Sequence, residues 1–375
     1  EEVEAAVWEQ CLAELDTAHP TFPELRGSVV EEVRDAIADC DAFRERRGFG
    51  YTSVDYSSVD PAIFPPLGSR RAKERRPLAL RRECRGLLVG PDGTVLARRF
   101  HKFFNLDQVE ETCLARAAPV VGAGVAVTRK LDGSLLSPVL IQGELEWATR
   151  FAPCPGASAF AHRHPSVLRL ARAALERGVT PLFEWCDSAT APGVIRHTLD
   201  ALVLLQLRSN VTGRYASRAS LRDVGRIYGV PVVEELVLPD GVATLGDCVE
   251  HVRSMSGEEG VVVHFLDRWP EWGIGADTMV KIKSEWYVAL AAGGRGGGVV
   301  ETLRRRPELT GLPAGVLWGA ALSECADDIG PVCSDILQRA GREEDSARLG
   351  GFLAAANNAV ASLHDDFCAW GKLVE

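Results

Sequence analysis

The chain has 375 residues, a formal net charge of −10, and 46% hydrophobic and 25% charged residues. This composition is typical of a globular protein with two or three domains and argues against disorder along the whole chain. No apolar run approaches the ~20 residues of a membrane span, and the first residues lack the pattern of a secretory signal. We therefore expect a cytoplasmic protein with no membrane partner, and the ten scattered cysteines suit a reducing compartment.

The spacing of apolar residues predicts helices first and strands later. Residues 1–47 have helical periodicity, with Val30, Val33 and Ile37 on one face, and a connector rich in Tyr, Ser and Pro follows at residues 48–68. Further helices are predicted at residues 107–116 and 166–177. Strand patterns occur at residues 84–89, 94–100, 120–128, 135–141, 144–149, 181–186, 202–208, 231–236 and 260–266. This order predicts an α+β fold with mixed, largely antiparallel sheets.

A glycine-rich segment divides the predicted domains. Residues 293–298 read Gly-Gly-Arg-Gly-Gly-Gly, which is the composition of a flexible linker. We expect one domain over residues 1–292, including a helical N-terminal extension at residues 1–80. Residues 299–375 show helical spacing throughout, and they predict an all-helical C-terminal domain.

Lysine is rare in this chain, so its positions are informative. Of 42 basic residues only six are lysine, and Lys130 lies between two predicted strands in the segment T-R-K-L-D-G-S. A deprotonated lysine amine can attack phosphorus, whereas a guanidinium group stays protonated and cannot. Lys130 is therefore a candidate covalent nucleophile, although Asp132 and Gly133 also suit an ordinary surface turn.

A second pair of lysines lies on one predicted strand. Lys281 and Lys283 alternate with Val280 and Ile282, so both ammonium groups belong to one face. Two like charges side by side repel each other, which is costly unless they face a polyphosphate. An exposed amphipathic strand is the alternative interpretation.

Three carboxylates have plausible supporting roles. Glu184 interrupts an apolar strand, where a lone acid needs a hydrogen bond or a function. Glu259 precedes a run of valines and could hold a cation, with Glu258 as a rival for that role. Asp132 could orient Lys130 or a metal ion. A hydrogen-bonded core acid or a turn former explains each of them equally simply.

Two further basic segments could contact nucleotides. Lys102 is surrounded by Phe100, Phe103 and Phe104, whose rings could cover a base while the ammonium group binds phosphate. A dense basic stretch at residues 70–85 could also meet phosphates. The alternatives are a buried strand edge for the first segment and a solvated loop for the second.

Taken together, these motifs resemble the covalent nucleotidyltransferases, which include the polynucleotide ligases and RNA capping enzymes. The shared motifs are K-x-D-G-S at residues 130–134, F-E-W at 183–185, E-G-V-V at 259–262 and K-I-K at 281–283. C-R-G at residues 84–86, H-K-F-F-N at 101–105 and the tyrosine that closes K-I-K-x-x-x-Y are similar to the phage-type RNA ligase 1 family.

The resemblance implies a nucleotidyltransferase (ATP-grasp-like ligase) fold and an ATP-dependent RNA ligase that uses Mg²⁺ or Mn²⁺. Such an enzyme joins RNA 3'-hydroxyl and 5'-phosphate ends through a lysyl-AMP and an RNA-adenylate, as in RNA repair. The implied partner is RNA, with a nicked tRNA stem-loop as one candidate, and the implied state is a monomer. A DNA ligase, a capping-type transferase and a catalytically silent nucleic-acid sensor remain alternatives.

The resemblance also implies a role for individual residues. Lys130 would be the nucleophile, supported by Asp132, Lys281 and Lys283. Glu259 would hold the metal ion, while Tyr287 and Arg150 would contact RNA, Arg150 standing where a lysine is expected. The implied nucleotide-binding residues are Arg85, Lys102, Phe104, Arg129, Gly133, Glu184, Glu259, Lys281 and Lys283.

Overall fold

The computed structural model describes residues 2–288, apart from residues 20, 49, 58–59, 69–71, 114–119, 121–124, 151–152, 189–194 and 266–278. The helices of this part are α1 (Glu2–Leu15), α2 (Val30–Ile37), α3 (Ala72–Glu83), α4 (Pro155–Arg163), α5 (Pro165–Leu175), α6 (Arg218–Tyr228) and α7 (Leu245–Ser254). The first six strands are β1 (Phe43–Gly48), β2 (Tyr51–Tyr56), β3 (Leu87–Val89), β4 (Val95–Ala97), β5 (Phe104–Asn105) and β6 (Ala126–Lys130). The last six are β7 (Ser134–Ile141), β8 (Glu144–Thr149), β9 (Val179–Cys186), β10 (Ala201–Ser209), β11 (Gly260–His264) and β12 (Met279–Lys283).

The strands form three four-stranded sheets. The first sheet has the order β1-β2-β3-β4, the second β10-β9-β7-β8 and the third β5-β12-β11-β6. All their pairings are antiparallel except that of β5 with β12. The predicted α+β class with mixed, largely antiparallel sheets is therefore confirmed. The predicted linker and the all-helical C-terminal domain lie outside the described residues, so that domain boundary stays a prediction.

Helix α7 determines which face of the third sheet is available for a site. Leu245 and Val252 of this helix belong to one hydrophobic cluster with Val261 and Val263 of β11 and the apolar residues of β12. Because strand side chains alternate, the lysines of β6 and β12 belong to the opposite face. That face meets the second sheet through a small cluster formed by Leu135, Leu182, Leu205, Val262 and Met279.

A buried ion network joins helix α3 to the second sheet. Glu83 accepts hydrogen bonds from Arg98 Nε and Arg208 Nη2, both at 2.9 Å, and all three side chains are at most 1% exposed. Burial alone would raise the pKa of Glu83, but Arg208 and Arg98 outweigh it and lower that pKa to about 2. Arg98 also donates to the carbonyl groups of Pro23 and Val211, which ties the N-terminal segment into the same network.

Several predicted elements need correction. The helical prediction for residues 1–47 holds for α1 and α2 but is wrong for residues 43–47. These residues belong to β1, and the predicted connector contains β2, which pairs with β1 as a hairpin. The reason is an alternation in β2, where Val54 and Tyr56 are buried on one face. Residues 72–83, most of which belong to the predicted helical extension, form α3, and the predicted strand at 231–236 forms only isolated bridges.

Other predictions are confirmed or partly tested. The strands predicted at 84–89 and 94–100 are shorter and pair as β3 and β4. The strands predicted at 135–141 and 144–149 are confirmed and pair as β7 and β8, and α5 matches the predicted helix at 166–177. The predicted helix at 107–116 is a 3₁₀ turn at Glu110–Thr112 within the part that the structure describes. None of the described helices is long and apolar enough to cross a membrane.

Candidate active site

Three adjacent strands place two lysines on either side of one glycine. Gly260 on β11 is the register partner of Lys130 on β6 and of Lys283 on β12. Neighbouring strands lie about 4.8 Å apart, so the two lysines are one strand removed from each other on the same face. Lys281 lies two residues from Lys283 and belongs to the same face, because Val280 and Ile282 pack in the cluster beneath the sheet. The predicted alternation of β12 is confirmed.

Glu259 contacts both lysines. Its Oε1 atom lies 2.7 Å from Lys130 Nζ and 3.0 Å from Lys283 Nζ. The carboxylate is 1% exposed, and the side chains of Lys130 and Lys283 are 17% and 6% exposed. Since a buried carboxylate between two ammonium groups is compensated on both sides, the arrangement keeps three charges together away from water. Glu258, the sequence rival of Glu259, forms an ion pair with Arg129 instead.

Glycine is required at two points of this site. Gly260 has φ +142°, and a Cβ atom there would lie 2.1 Å from the carbonyl oxygen of Ile282. At Gly133 a Cβ atom would lie 2.4 Å from the carbonyl oxygen of Trp185. The Gly133 N–H group donates to Glu184 Oε1 at 3.1 Å, so the turn after Lys130 is bound directly to β9.

Asp132 is the centre of a hydrogen-bond cluster. Its Oδ1 atom accepts from the hydroxyl of Tyr287 at 2.9 Å, and its Oδ2 atom accepts from the N–H group of Ile195 at 2.7 Å. The Nε2 atom of His197 lies 2.6 Å from the backbone carbonyl oxygen of Asp132. These contacts come from two separate chain segments. They hold the turn between Lys130 and Gly133 in one position.

A second group of cations surrounds Tyr56. The Tyr56 hydroxyl accepts from Lys102 Nζ at 3.2 Å and from Arg150 Nη1 at 3.0 Å. The two cationic groups lie 5.0 Å and 4.2 Å from the centre of the Tyr56 ring, and Asp55 holds the Nε atom of Arg150 at 3.0 Å. Lys102 also lies 5.4 Å from the ring centre of Phe104. Arg150 is thus fixed by its neighbours rather than extended into solvent.

The two groups of cations are connected through β5 and β12. Phe104 on β5 pairs with Val280, and the neighbouring ring of Phe103 lies 4.9 Å from Lys281 Nζ. Arg85 precedes Gly86, where a Cβ atom would lie 2.9 Å from the Arg150 Cβ atom, so the Arg85 backbone is close to Arg150. The structure therefore brings the predicted phosphate-binding residues to one region, on both sides of Phe103.

Two predicted site residues have side chains with acidic partners within the chain. Arg129 forms ion pairs with Glu234 and Glu258, so its side chain is directed away from the lysine face, as strand alternation requires. Tyr287 is only 2% exposed, and its hydroxyl is committed to Asp132. In this structure Tyr287 supports the turn between Lys130 and Gly133, and its contact with an RNA end stays a prediction.

Three arginines of the basic stretch at residues 70–85 form ion pairs that connect parts of the fold. Arg76 pairs with Glu32, Arg81 with Asp39, and Arg82 with Glu111, the last pair being at most 4% exposed. These arginines connect α3 to α2 and to the turn at Glu110–Thr112. Each of these three arginines has a carboxylate partner within the chain, and phosphate binding along this stretch stays a prediction.

Sequence reasoning missed Asp55, Tyr56 and His197. The first two lie in the segment with the composition of a connector, although the alternation of Val54 and Tyr56 with polar residues could have indicated a strand. His197 lies in a loop, and a lone histidine in a loop has no sequence pattern that indicates a function. Its contact with Asp132 depends on the tertiary fold.

Comparison with known proteins identifies the family. The profile of the family described as RNA ligase matches residues 83–287, which is more than half of the chain. The chain belongs to the phage-type RNA ligase family. The matched residues of this RNA ligase family member include all of the motifs described above, from Arg85 to Tyr287.

Two curated relatives agree with this assignment. A Thermovibrio ammonificans protein named as an RNA ligase is 30% identical over 214 residues, which cover 56% of this chain and 52% of the relative. RNA ligase 1 of bacteriophage TS2126 is 35% identical over 185 residues, 46% of this chain and 43% of the relative. This member of the RNA ligase family thus spans about half the length of the curated relatives it matches.

Solved structures give more distant similarities. An archaeal ATP-dependent RNA ligase is 17% identical with a TM-score of 0.46, covering 85% of this chain and 78% of the other. A Naegleria gruberi RNA ligase variant with AMP and Mn is 16% identical with a TM-score of 0.36, covering 48% and 53% of the two chains.

Proposed function

We propose that this protein is an ATP-dependent RNA ligase that joins a 3'-hydroxyl end to a 5'-phosphate end through a lysyl-AMP. The observation that supports this most directly is the contact of Lys130 and Lys283 with one buried carboxylate, Glu259, in a member of the RNA ligase family. A nucleophilic amine, a proton acceptor and further cations are the groups that nucleotidyl transfer to lysine requires.

In the first step Lys130 attacks the α-phosphorus of ATP. The lone pair of Nζ forms the P–N bond, the bond to the β-phosphate oxygen breaks, and pyrophosphate leaves with the electron pair. The ammonium group must lose a proton before attack, and Glu259 Oε1, 2.7 Å from Nζ, is in hydrogen-bond reach to take it. Lys281, Lys283 and Lys102 would neutralise the charge that develops on the phosphate oxygens.

A divalent metal ion fits this site in one particular way. The described residues contain no group of three His, Cys, Asp or Glu side chains that could cage a metal ion. Mg²⁺ is commonly held by one or two carboxylates together with substrate phosphates. Glu259 is the carboxylate that would do so here, and the ion would supply positive charge to the triphosphate.

In the later steps the AMP group passes to RNA. A 5'-phosphate oxygen attacks the phosphorus of lysyl-AMP and frees Lys130, and a 3'-hydroxyl oxygen then attacks the activated 5'-phosphate and releases AMP. Lys102 and Arg150 lie together around Tyr56 and could bind the incoming 5'-phosphate. We propose RNA repair in the cytoplasm as the setting, with a nicked stem-loop such as a broken tRNA as the substrate. The seven described cysteines are free thiols, which suits that compartment.

The test follows adduct formation and sealing separately. The protein is incubated with ATP labelled at the α-phosphate and a divalent metal ion, and denaturing electrophoresis then detects any covalent adduct. We expect labelling of the wild type and of Lys73→Ala, a matched control at an exposed lysine outside the site, and none for Lys130→Ala.

The second half of the test uses three kinds of substrate. We expect sealing of 5'-phosphorylated RNA. Transfer to 5'-phosphorylated DNA tests the DNA ligase alternative, and transfer to 5'-diphosphate RNA tests the capping alternative. A wild-type protein that forms no adduct, or a Lys130→Ala variant that labels normally, would contradict the proposal. Efficient transfer to DNA alone or to diphosphate ends alone would favour the corresponding alternative.

A further inference from the structure

A groove of about 440 Å³ lies between the first and second sheets, beside the group of cations around Tyr56. Its volume falls within the range of small-molecule sites, about 300–1,000 Å³. Of its lining residues, only Arg150 has a role in the proposed ligase reaction. The polar and aromatic residues that line the groove include Arg46, Arg47, Tyr51, Glu144, Glu146 and Arg150.

One wall of the groove is cationic and aromatic. In the first sheet Arg46 of β1 is the register partner of Ser53 of β2, and Ser53 is the partner of Leu88 of β3. Arg47 is exposed at the same edge strand. The Tyr51 ring lies over Gly48, where a Cβ atom would be 2.3 Å from the ring, so the glycine lets the ring lie across the hairpin.

The opposite wall is apolar below and acidic above. Val139 of β7 is the register partner of Glu146 of β8, and Ile141 is the partner of Glu144. Val139 packs with Leu88 and with Tyr51 and Ile141 in one cluster, which forms an apolar floor. Both glutamates are exposed, and both line the groove together with Arg46 and Arg47.

The combination of walls selects one class of ligand. An acidic peptide would face Glu144 and Glu146, and a basic peptide would face Arg46 and Arg47, so both are opposed by like charge. A nucleotide has an anionic phosphate for the arginines, a flat base for Tyr51, and amino groups that can donate to a carboxylate. The groove therefore has a complementary group for each part of a nucleotide.

The position of the groove relates it to the RNA substrate. Arg150 lines the groove and also donates to Tyr56, whose hydroxyl is 3.2 Å from Lys102 Nζ. We propose that the groove binds one unpaired nucleotide of the RNA substrate next to the reacting end. The phosphate contacts Arg46 and Arg47, the base stacks on Tyr51, and an amino group of the base donates to Glu146. This inference rests on the proposed ligase function.

The main test measures binding of a short 5'-phosphorylated single-stranded RNA by fluorescence anisotropy at several salt concentrations. For the double variant Arg46→Ala/Arg47→Ala we expect the Kd to rise about tenfold. The salt slope of log K should decrease by about 0.7 for each phosphate that the variant no longer binds. The matched control, Arg26→Ala/Arg226→Ala, removes two exposed arginines outside the groove and should bind as the wild type does.

Two further variants test the base contacts. Tyr51→Ala should weaken binding about tenfold, whereas Tyr51→Phe, which keeps the ring, should not. The wild type should prefer oligocytidylate to oligouridylate, because only cytosine has an amino group to donate, and Glu146→Gln should reduce that preference.

Adduct formation with labelled ATP separates this inference from the ligase proposal. All groove variants should form the lysyl adduct at the wild-type rate, which also shows that they are folded. If they do so and Arg46→Ala/Arg47→Ala binds RNA with the wild-type Kd and salt slope, the groove inference is wrong while the ligase proposal stands. If the wild type forms no adduct, the ligase proposal fails first.

Discussion

The buried network around Glu83 gives a stability prediction that can be worked from the structure. Glu83→Gln keeps the shape of the side chain but removes the negative charge between Arg98 and Arg208, which are both 0% exposed. Two guanidinium groups would then remain buried without their carboxylate. The network lies two residues before Arg85, so its loss would also disturb a predicted phosphate-binding residue.

The magnitude follows from the pKa of Glu83. Its lowering from 4.5 to about 2 corresponds to about 3 kcal/mol of stability at neutral pH, at about 1.4 kcal/mol for each pH unit. Loss of one partner of a buried ion pair typically costs about 3–5 kcal/mol, which agrees. Because the folded-state pKa is the lower one, this stability is present above pH 4.5 and is lost as the pH falls towards 2.

Urea unfolding at pH 7 and at pH 4 measures the stability contribution of Glu83 and its dependence on pH. We expect Glu83→Gln to reduce the free energy of unfolding by about 3–5 kcal/mol at pH 7. The difference in free energy of unfolding between the variant and the wild type should be about 1 kcal/mol smaller at pH 4 than at pH 7. The control Glu31→Gln removes a carboxylate that is 82% exposed and should cost less than about 1 kcal/mol. A Glu83→Gln cost no larger than that of the control, or a difference independent of pH, would refute the reasoning.

Two further predictions concern the turn that follows Lys130, and a third concerns Gly260 on β11. His197→Ala removes the contact with Asp132 and should slow lysyl-AMP formation about tenfold at an unchanged KM for ATP. His197→Gln, which can still donate a hydrogen bond, should recover part of the rate. A changed KM with an unchanged rate would argue against a positioning role. Tyr287→Phe should lower the free energy of unfolding by about 1 kcal/mol in urea and slow adduct formation; full activity would show that the hydrogen bond to Asp132 is dispensable. Gly260→Ala should lower the free energy of unfolding in urea by about 2–3 kcal/mol. Gly143→Ala, where no atom lies within 4 Å of the added Cβ atom, should lower it less. Equal losses would mean that the chain adjusts to remove the close contact with Ile282.

The features that the sequence predicts correctly depend on local geometry. The common face of Lys281 and Lys283 follows from strand alternation alone, and the β7–β8 hairpin follows from its turn. The contact of Glu259 with Lys130 and Lys283 is beyond such prediction, because it requires β11 to pair with β6 on one side and with β12 on the other. Only the tertiary fold brings those strands together.

The basic stretch illustrates the same limit for charges. Nothing in the sequence near Arg82 indicates that its carboxylate partner is Glu111, and nothing near Arg81 indicates Asp39. These partners lie 29 and 42 residues away along the chain, so charge patterning by itself favours a solvated or phosphate-binding segment. The N-terminal hairpin escapes prediction for a different reason. Ser53 and Asp55 of β2 belong to residue types that are typical of turns, and they mask the alternation of Val54 and Tyr56.

The central claim is that Lys130 carries the AMP group. The most direct measurement is mass spectrometry of peptides from protein that has been incubated with ATP and Mg²⁺ and then cleaved by a protease. The account predicts that the peptide containing Lys130 gains the mass of one AMP in the wild type, with fragment ions that assign the addition to Lys130. AMP on a different residue, or no modified peptide from protein that nevertheless seals RNA, would contradict the account.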